Sequence, residues 1–327
     1  MNVLLNDYCN FKCSYCFAED TMCSEPKKVN MSIDDLEKVI DYHKKNKLYD
    51  IRLIGGEPTL HPKFTYILNK LVNDSFFRSV HIFSNMSFKE EILEAIIVAS
   101  KSKKVTMLPN CNERSQIGDI MYDRMLYNLS KLAPLRIVDT VGINIYRPDI
   151  DYKYIYDIAN RYNIRHVRWA LTIPNKPLDS DFDLREYVGE FEDVLVKFFK
   201  DSVKYNKEIS IDCNSLPLCK FSDESIRTMM YSAPKTFVKQ HCGLVIDVKP
   251  NLEVIRCFGL SDEFNLDLDY KNSNYNDICK AFDKEFYEFE HMPLYDECKK
   301  CLVYKNNGNR SCGCIKYRIA KFKEDKD

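Results

Sequence analysis

Short apolar runs alternate with amphipathic segments over the first two thirds of the chain. Runs of the length of a buried strand occupy 2–7, 50–54, 79–85, 104–108, 139–146 and 166–172. Segments with helical periodicity separate or follow them, at 32–46, 64–74, 88–102, 121–132, 152–162 and 183–206. Repeated strand–helix units predict parallel strands joined by right-handed crossovers. The pattern therefore predicts an α/β fold, arranged either as a barrel or as an open sheet.

Segments whose residue types could bind a metal or a ligand follow three of the predicted strands. The segment CNFKCSYC (9–16) follows the first strand, IGGEP (54–58) the second and SNMS (84–87) the third. The carboxyl ends of parallel strands lie on one face of a barrel or at one edge of a sheet. We therefore expect these three segments to converge on a single site.

The pattern changes after about residue 207. A short strand is predicted at 209–213, and a hairpin over 243–258 has its turn at Pro250 and Asn251. The rest of this part is cysteine-rich loop with short helices. We therefore predict one domain over 1–206 and a second, cysteine-rich domain over 207–327.

Composition and charge narrow the class of protein. The chain has 327 residues, with 48 Lys and Arg against 49 Asp and Glu, so no nucleic-acid partner is expected. Its first residues have neither the basic start nor the long apolar core of a signal peptide. The most apolar stretches, such as 92–99, are too short to span a bilayer. We expect a cytoplasmic protein without a membrane partner.

The chain contains 14 cysteines, which in a reducing compartment favours metal binding or catalysis over disulfides. Nine of them lie at or after Cys213, and a tight N-terminal group consists of Cys9, Cys13 and Cys16. Cys23 is interpreted as an incidental loop thiol. A structural zinc site closes with four ligands, whereas three thiolates can hold three irons of a [4Fe–4S] cluster and leave the fourth iron open. A partial zinc site is the alternative for this group.

The N-terminal motif Cys-x3-Cys-x-aromatic-Cys, with Tyr15 before the third cysteine, resembles the signature of radical S-adenosylmethionine (SAM) enzymes. The resemblance covers most of 1–206 and implies a partial (β/α)6 TIM-like barrel. A glycine-rich motif in that family holds the SAM ammonium group with its backbone and its acidic residue. The matching residues here are Gly55, Gly56, Glu57 and Pro58.

Further SAM contacts are implied by the same resemblance. Ser84 and Asn85 stand where the family places polar contacts after the third strand. Asn144 on the fifth strand and Arg168 on the sixth are similar in position to residues that reach the ribose and the carboxylate. The alternative for these two is a satisfied polar residue inside the barrel. Cys111, just after the fourth strand, is either a hydrogen-atom donor to a substrate radical or an inert loop cysteine.

The C-terminal cysteines resemble the SPASM or twitch extensions of radical SAM enzymes, which carry auxiliary [4Fe–4S] clusters. Cys242 and Cys257 match the cysteines of the hairpin in that extension, and Leu252 stands where its turn has a glycine. Cys298 and Cys301 match the next pair. A zinc ribbon is the alternative for that pair.

The spacing of the last cysteines departs from the SPASM pattern. Cys312 and Cys314 are closer together than in that pattern, and no cysteine follows Cys314. Cys213 and Cys219 are candidates for the missing ligands, so one or two auxiliary clusters are expected. Cys279 lies on a predicted helix and is interpreted as structural, because free cysteine packs as a small apolar residue.

The resemblance implies reductive cleavage of SAM, followed by abstraction of a substrate hydrogen atom by a 5′-deoxyadenosyl radical. It implies an external electron donor, such as flavodoxin or ferredoxin. SPASM-like enzymes mostly modify peptides, so we expect an oxidative modification of a ribosomally made peptide: a thioether, a carbon–carbon or carbon–oxygen crosslink, or a dehydrogenation. The alternatives are a dehydrogenase or epimerase of a small molecule such as a sugar, and a non-catalytic iron–sulfur or zinc protein.

Leader recognition is a separate expectation. Many peptide-modifying members have a leader-binding domain before the cysteine motif, whereas eight residues precede Cys9 here. We therefore expect a peptide leader to be recognised by a separate protein or by another surface.

Overall fold

The computed structural model describes residues 1–16, 18, 28–174, 177–179, 181–212, 216–234 and 242–324. The chain divides into two compact units. Unit 1 comprises Met1–Val141, Tyr162–Ile164 and Leu244–Phe282; unit 2 comprises Gly142–Arg161, Arg165–Gly243 and Asp283–Asp327. The predicted functional domains, 1–206 and 207–327, stay a prediction. Within the described ranges, every helix is too short or too polar to cross a lipid bilayer.

Unit 1 is built around a mainly parallel sheet with the strand order β10-β9-β8-β1-β2-β3-β4. Strands β1 to β4 are parallel neighbours, and β8 pairs in parallel with the other edge of β1. Strand β9 runs antiparallel to both β8 and β10. The strands are β1 (Asn2–Leu4), β2 (Asp50–Ile54), β3 (Ser79–Ser84), β4 (Val105–Pro109), β8 (Asp247–Val248), β9 (Glu253–Ile255) and β10 (Asn265–Asp267).

Amphipathic helices connect the parallel strands of unit 1. Helix α1 begins after Ser32, whose hydroxyl accepts from the backbone N–H of Asp35, and its apolar stripe includes the buried Leu36 and Val39. The unit contains α1 (Ile33–Lys45), α2 (Phe64–Asn73), α3 (Glu90–Ser100), α4 (Arg114–Ile117), α5 (Asp119–Leu132) and the first part of α10 (Tyr275–His291).

Unit 2 contains a second sheet, with the order β5-β6-β7, in which β6 and β7 are parallel. Trp169 on β6 is buried against Phe198 and Phe199, whereas the neighbouring Arg168 is on the opposite face of the strand. The elements are β5 (Thr140–Ile145), α6 (Lys153–Arg161), β6 (His166–Leu171), α7 (Leu184–Gly189), α8 (Glu192–Lys204), β7 (Glu208–Ile211), α9 (Asp223–Ser232), α11 (Leu302–Asn306) and α12 (Ile315–Glu324).

The predicted α/β class with parallel strands is confirmed. The single long helix predicted over 183–206 is wrong, because α7 ends at Gly189 and α8 begins at Glu192. A Cβ on Gly189 would lie 3.1 Å from the Cβ of Lys220, so another segment packs closely at the break. Phe191 packs its ring against Tyr187 there. Apolar periodicity continues through the break, which is why the sequence pattern did not reveal it.

The predicted hairpin is formed by β8 and β9, with a strained turn. Leu252 has a φ of 69°, in the left-handed region that favours glycine. Its backbone N–H donates to the carbonyl oxygen of Lys249 over 2.9 Å. Leu252 therefore adopts a backbone conformation that glycine would adopt at lower cost.

Candidate functional site

Four loops follow the four neighbouring parallel strands β1 to β4 in unit 1. The cysteine loop, defined as residues 9–16, follows β1, and the segment 55–58 follows β2. Ser84 is the last residue of β3, and residues 85–87 follow it. Residues 110–112 follow β4. The three segments expected to converge on one site are connected by hydrogen bonds, and a fourth loop joins them.

The carboxylate of Glu57 ties the loop after β2 to the end of β3. Glu57 is 2% exposed and accepts from the Ser84 hydroxyl over 2.9 Å and from the backbone N–H of Asn85 over 2.7 Å. Thr59 also donates to it with its hydroxyl and its backbone N–H. Burial raises the pKa of Glu57, and these hydrogen bonds oppose that rise. Its proposed contact with the SAM ammonium group stays a prediction.

Gly55 and Gly56 lie against the chain that leads into the cysteine loop. A Cβ on Gly55 would be 2.3 Å from Oδ1 of Asn6, and one on Gly56 would be 2.1 Å from the carbonyl oxygen of Tyr8. The backbone N–H of Glu57 donates to that same carbonyl over 3.0 Å. Only glycine allows this approach, so the glycine pair holds the two loops together.

Nitrogen donors surround two sulfurs of the cysteine loop. The Cys9 Sγ accepts from the backbone N–H of Phe11 over 3.3 Å, and the Asn85 Nδ2 lies 3.8 Å from it. The Cys13 Sγ accepts from the Asn112 Nδ2 over 3.1 Å, and the same nitrogen donates to the Tyr15 hydroxyl over 2.7 Å. The loops after β3 and β4 thus both contact the cysteine loop.

Burial of the sulfur raises the pKa of Cys9 to about 12, and the nearby charges of Glu57, Cys13 and Cys16 act in the same direction. Burial also raises the pKa of Cys13, although the Asn112 and Tyr15 hydrogen bonds lower it. The thiols are therefore protonated unless a cation compensates them. A bound metal centre provides that compensation, because metal binding stabilises thiolate.

The donor set fits a [4Fe–4S] cluster with three thiolate ligands. N–H donors to the ligating sulfurs are one of the means by which proteins tune such clusters. The residues available as ligands are Cys9, Cys13 and Cys16. Within the part of the chain that is described, no three His, Cys, Asp or Glu side chains are grouped so as to hold a single metal ion.

Sequence reasoning singled out Cys111 but missed the asparagines beside it. Cys111 is buried, and burial raises its pKa to about 12, so it remains a thiol. Its role as a hydrogen-atom donor stays a prediction. Asn112, three residues after β4 ends at Pro109, makes the contacts to the cysteine loop. Its position after a predicted strand was the signal that could have identified it.

Two predicted SAM contacts belong to unit 2. Asn144 lies half-buried on β5, and Arg168 on β6 has its Nη1 3.5 Å from Oδ1 of Asp212. The cysteine loop and the segment 55–58 belong to unit 1. The roles of Asn144 and Arg168 therefore stay predictions.

The C-terminal cysteines are distributed over both units. Cys257 and Cys279 are in unit 1, whereas Cys213 and Cys23 lie outside the described residues. The other C-terminal cysteines belong to unit 2, and they are Cys219, Cys242, Cys298, Cys301, Cys312 and Cys314.

Two buried thiols of unit 2, Cys312 and Cys219, have pKa values raised by nearby cysteines as well as by burial. Burial raises the pKa of Cys312 to about 12, and the charges of Cys219, Cys301 and Cys298 add to the effect. Burial likewise raises the pKa of Cys219, with contributions from Cys298 and Cys301. We call Cys219, Cys298, Cys301 and Cys312 the four-thiol group. Burial raises the pKa of Cys314, and the charge of Cys242 adds to that rise.

Helix α7 holds the segments that contain the four-thiol group. At its C-terminal end, Gly189 lies against Lys220, the neighbour of Cys219. At its N-terminal end, the backbone N–H of Leu184 donates to the Tyr295 hydroxyl over 3.1 Å, three residues before Cys298. A Cβ on Gly313, which follows Cys312, would lie 3.0 Å from Leu184. Packing on one short helix thus brings these segments together.

Comparison with known proteins identifies the N-terminal part of the chain. Residues 3–106 match the family model described as the Radical SAM superfamily. A GTP 3′,8-cyclase of Rhizobium etli is 34% identical over 71 residues, which cover 22% of this chain and 20% of that protein. A GTP 3′,8-cyclase of Mesorhizobium japonicum is 32% identical over 71 residues, covering 22% and 21%. The chain spans from about a fifth to about half of the length of its curated relatives.

Solved structures share the fold over nearly the whole chain. Streptococcus suis SuiB bound to its precursor peptide SuiA is 15% identical, with a TM-score of 0.62, over 93% of this chain and 69% of SuiB. The enzyme anSMEcpe with bound AdoMet is 14% identical, with a TM-score of 0.65, over 99% of this chain and 95% of that one. The α/β fold therefore matches the partial barrel of radical SAM proteins.

Proposed function

We propose, from the radical SAM domain of residues 3–106, that this protein is a radical SAM enzyme that cleaves SAM reductively and abstracts a substrate hydrogen atom. One observation carries the proposal: Asn85 and Asn112 join the loops after β3 and β4 to the cysteine loop, and Glu57 joins the loop after β2 to Asn85. An iron–sulfur protein that only carried electrons would not need a second, glycine-lined segment against its cysteine loop.

Each part of the site has its own proposed role. Cys9, Cys13 and Cys16 would hold the cluster through three irons. When bound, a [4Fe–4S] cluster with SAM on its open iron supplies the electron that generates a 5′-deoxyadenosyl radical. The Asn112 and Phe11 donors would stabilise the thiolate form of their sulfurs.

The chain's own residues would position SAM. The backbone at Gly55 and Gly56 leaves room for a close approach, and Pro58 fixes the start of the turn that Glu57 caps. The polar contacts proposed for SAM are Tyr15, Ser84, Asn85, Asn144 and Arg168.

A peptide is the proposed substrate class, with an oxidative modification as the reaction. SuiB, which shares the fold, was crystallised with a precursor peptide, and this supports the proposal. A separate leader-binding protein and an external flavodoxin or ferredoxin would complete the system. A small-molecule substrate is the second candidate, because the GTP 3′,8-cyclase relatives act on a nucleotide by their names.

We also propose that the four-thiol group holds an auxiliary [4Fe–4S] cluster. Cys298, Cys301 and Cys312 supply three ligands, and Cys219 supplies the fourth from a segment 79 residues earlier than Cys298. The other candidate ligands, Cys213, Cys242, Cys257 and Cys314, stay predictions for a second auxiliary cluster. Four protein ligands leave no open iron, so the four-thiol cluster would carry electrons.

The test is iron and sulfide per chain after anaerobic reconstitution, together with 5′-deoxyadenosine formed under reducing conditions. The triple variant Cys9→Ala, Cys13→Ala and Cys16→Ala should lose about four irons and all SAM cleavage. Cys279→Ala is the matched control and should keep both. Equal iron and equal 5′-deoxyadenosine in the triple variant and the wild type would overturn the proposal.

The substrate class is tested with the same assay. Candidate precursor peptides from neighbouring genes should raise 5′-deoxyadenosine formation above the substrate-free rate and lose hydrogen in mass spectrometry. Stimulation by nucleotides or sugars, without stimulation by any such peptide, would favour the small-molecule candidate.

A further inference from the structure

Arg318 is a fully buried positive charge beside the C-terminal cysteines of unit 2. Its side chain is 1% exposed, on helix α12, which begins directly after Cys314. The backbone N–H of Arg318 lies 3.3 Å from the carbonyl oxygen of Cys314, one helical turn earlier. Arg318 and Cys314 therefore share one side of the start of α12.

The guanidinium of Arg318 is only partly satisfied by neutral groups. Its Nη1 donates to the carbonyl oxygens of Ser311 over 2.9 Å and Glu290 over 3.3 Å. Its Nε is buried without a hydrogen-bond partner among the described atoms. Arginine stays charged in proteins, and a buried charge is costly unless an opposite charge compensates it.

The groups around Arg318 that carry or can acquire negative charge are mostly thiols. They are Cys242, Cys314, Glu290 and Cys312. The Glu290 carboxylate forms an ion pair with Arg310, whose Nε lies 3.4 Å from it, so the negative charge of Glu290 already has a partner. Protonated thiols would leave Arg318 poorly compensated, whereas thiolates bound to an iron–sulfur cluster give the region a net negative charge.

We propose that Arg318 is the buried counter-charge of the iron–sulfur cluster held by the four-thiol group, which includes Cys312, and that it sets the reduction potential of that cluster. This rests on the auxiliary cluster proposed above. One-electron reduction makes the cluster more negative, and a fixed positive charge stabilises the reduced form. Arg318 therefore raises the potential, as a positioning residue that takes no part in ligation.

The sequence also connects the charge to the ligands. Arg318 follows Cys314 by four residues and reaches back to the carbonyl of Ser311, the residue before Cys312. The side chain of Arg318 on α12 thus contacts the first residue of the loop Ser311–Cys314, which leads into that helix. A neutral side chain of similar length could hold the loop but could not supply the charge.

The test uses the full chain with Cys9, Cys13 and Cys16 changed to Ala, so that the remaining iron belongs to auxiliary clusters. Arg318→Gln removes the charge and keeps an amide donor, whereas Arg318→Lys keeps the charge. Arg310→Gln is the matched control, because the Arg310 side chain is 40% exposed and screened by solvent. Each variant is reconstituted, its iron is counted, and it is titrated with dithionite under electron paramagnetic resonance.

We expect Arg318→Gln to keep its iron. The equilibrium constant for one-electron reduction of its cluster should be about tenfold lower, which corresponds to a reduction potential ~59 mV lower. Arg318→Lys and Arg310→Gln should stay near the parent potential. An unchanged potential in Arg318→Gln, or an equal shift in Arg318→Lys, would overturn the charge role. If Arg318→Gln loses its iron, retention by Arg318→Lys supports the charge and loss by both overturns it.

Failure of this inference is distinguishable from failure of the proposed function. Absence of residual iron in the parent protein would overturn the inference, because no auxiliary cluster would exist. SAM cleavage by the wild type, measured separately, would still decide the proposed function.

Discussion

The side-chain amide of Asn112 donates to the sulfur of Cys13 across 3.1 Å. This bond connects the loop after β4 to the loop after β1, although β2 and β3 lie between those strands in the sheet. Asn112 is therefore the residue through which the far side of the parallel sheet contacts the proposed cluster ligands.

Replacing Asn112 should weaken cluster binding without unfolding the domain. Asn112→Ala removes the donor to Cys13, and Asn112→Asp places a negative charge beside it. We expect about 10- to 100-fold faster loss of iron to a chelator, with the larger effect in Asn112→Asp. Asn272→Ala is the control, since its exposed side-chain amide donates to the Asp269 carboxylate. Equal chelation rates in all three proteins would contradict the role.

A methyl group at Gly56 should separate the loop after β2 from the cysteine loop. Because its Cβ would lie 2.1 Å from the backbone oxygen of Tyr8, the backbone itself must move. We expect Gly56→Ala to lose on the order of 2 kcal/mol in the free energy of unfolding. SAM binding, measured by calorimetry on the reconstituted protein, should fall with it.

Gly243→Ala is the matched control for that experiment, because a Cβ there would meet no atom of the described residues within 4 Å. Its stability should stay close to that of the wild type or rise slightly through a less flexible unfolded state. A Gly56→Ala variant as stable as Gly243→Ala would show that the close approach is not required.

Asp247 should make the stability of unit 1 depend on pH. Burial raises its pKa to about 7, against the opposing hydrogen bond from Asn2 Nδ2 over 2.7 Å. Because the pKa is raised on folding, this contribution is fully present below about pH 4 and is lost as the pH rises through about 7. The slope is at most about 1.4 kcal/mol per pH unit.

Asp247→Asn isolates this effect, since the amide oxygen can still accept from Asn2 while the titration disappears. Urea unfolding from pH 4 to 8 should give equal stabilities at the acid end and a more stable variant at the alkaline end. A difference between the two proteins that does not change with pH would contradict the titration of Asp247.

The Leu252→Gly variant of the protein should be more stable than the Leu252→Ala variant. Both changes remove the same leucine side chain beyond the Cβ, but only glycine relieves the positive φ of 69°. We expect Leu252→Gly to exceed Leu252→Ala by about 1 kcal/mol in the free energy of unfolding. Equal stabilities would mean that the turn rearranges in the variants.

Much of the fold follows from local pattern. The strands β2 to β6 and the helices α2, α3, α5 and α6 between them were predicted, because apolar runs of strand length alternate with helical periodicity. Both patterns depend on neighbouring residues only. The cysteine motif and GGEP were recognisable for the same reason, since each is a short continuous segment. Leu252 was singled out as a departure from a glycine position, and its left-handed backbone agrees with that.

The remainder depends on contacts between distant segments. The break between α7 and α8 reflects packing of Gly189 against Lys220. The contact of Asn112 with Cys13 depends on side-chain direction across the sheet. The pairing of β8 with β1 joins residues about 245 positions apart, and the β8 segment alone is two residues long. A local pattern does not encode such pairings, because they are selected by the whole packed structure.

The pairing of β1 with β8 also has a consequence for synthesis on the ribosome. Strand β1 emerges first, but its second edge acquires a partner only after Asp247 and Val248 have been made. At about 5–20 residues per second, the interval is on the order of 10 to 50 seconds. Throughout it, the strand that leads into the cysteine loop has an open edge, and open edges invite pairing with other chains. The nascent chain is therefore vulnerable to aggregation beside the loop that is proposed to hold the iron–sulfur cluster.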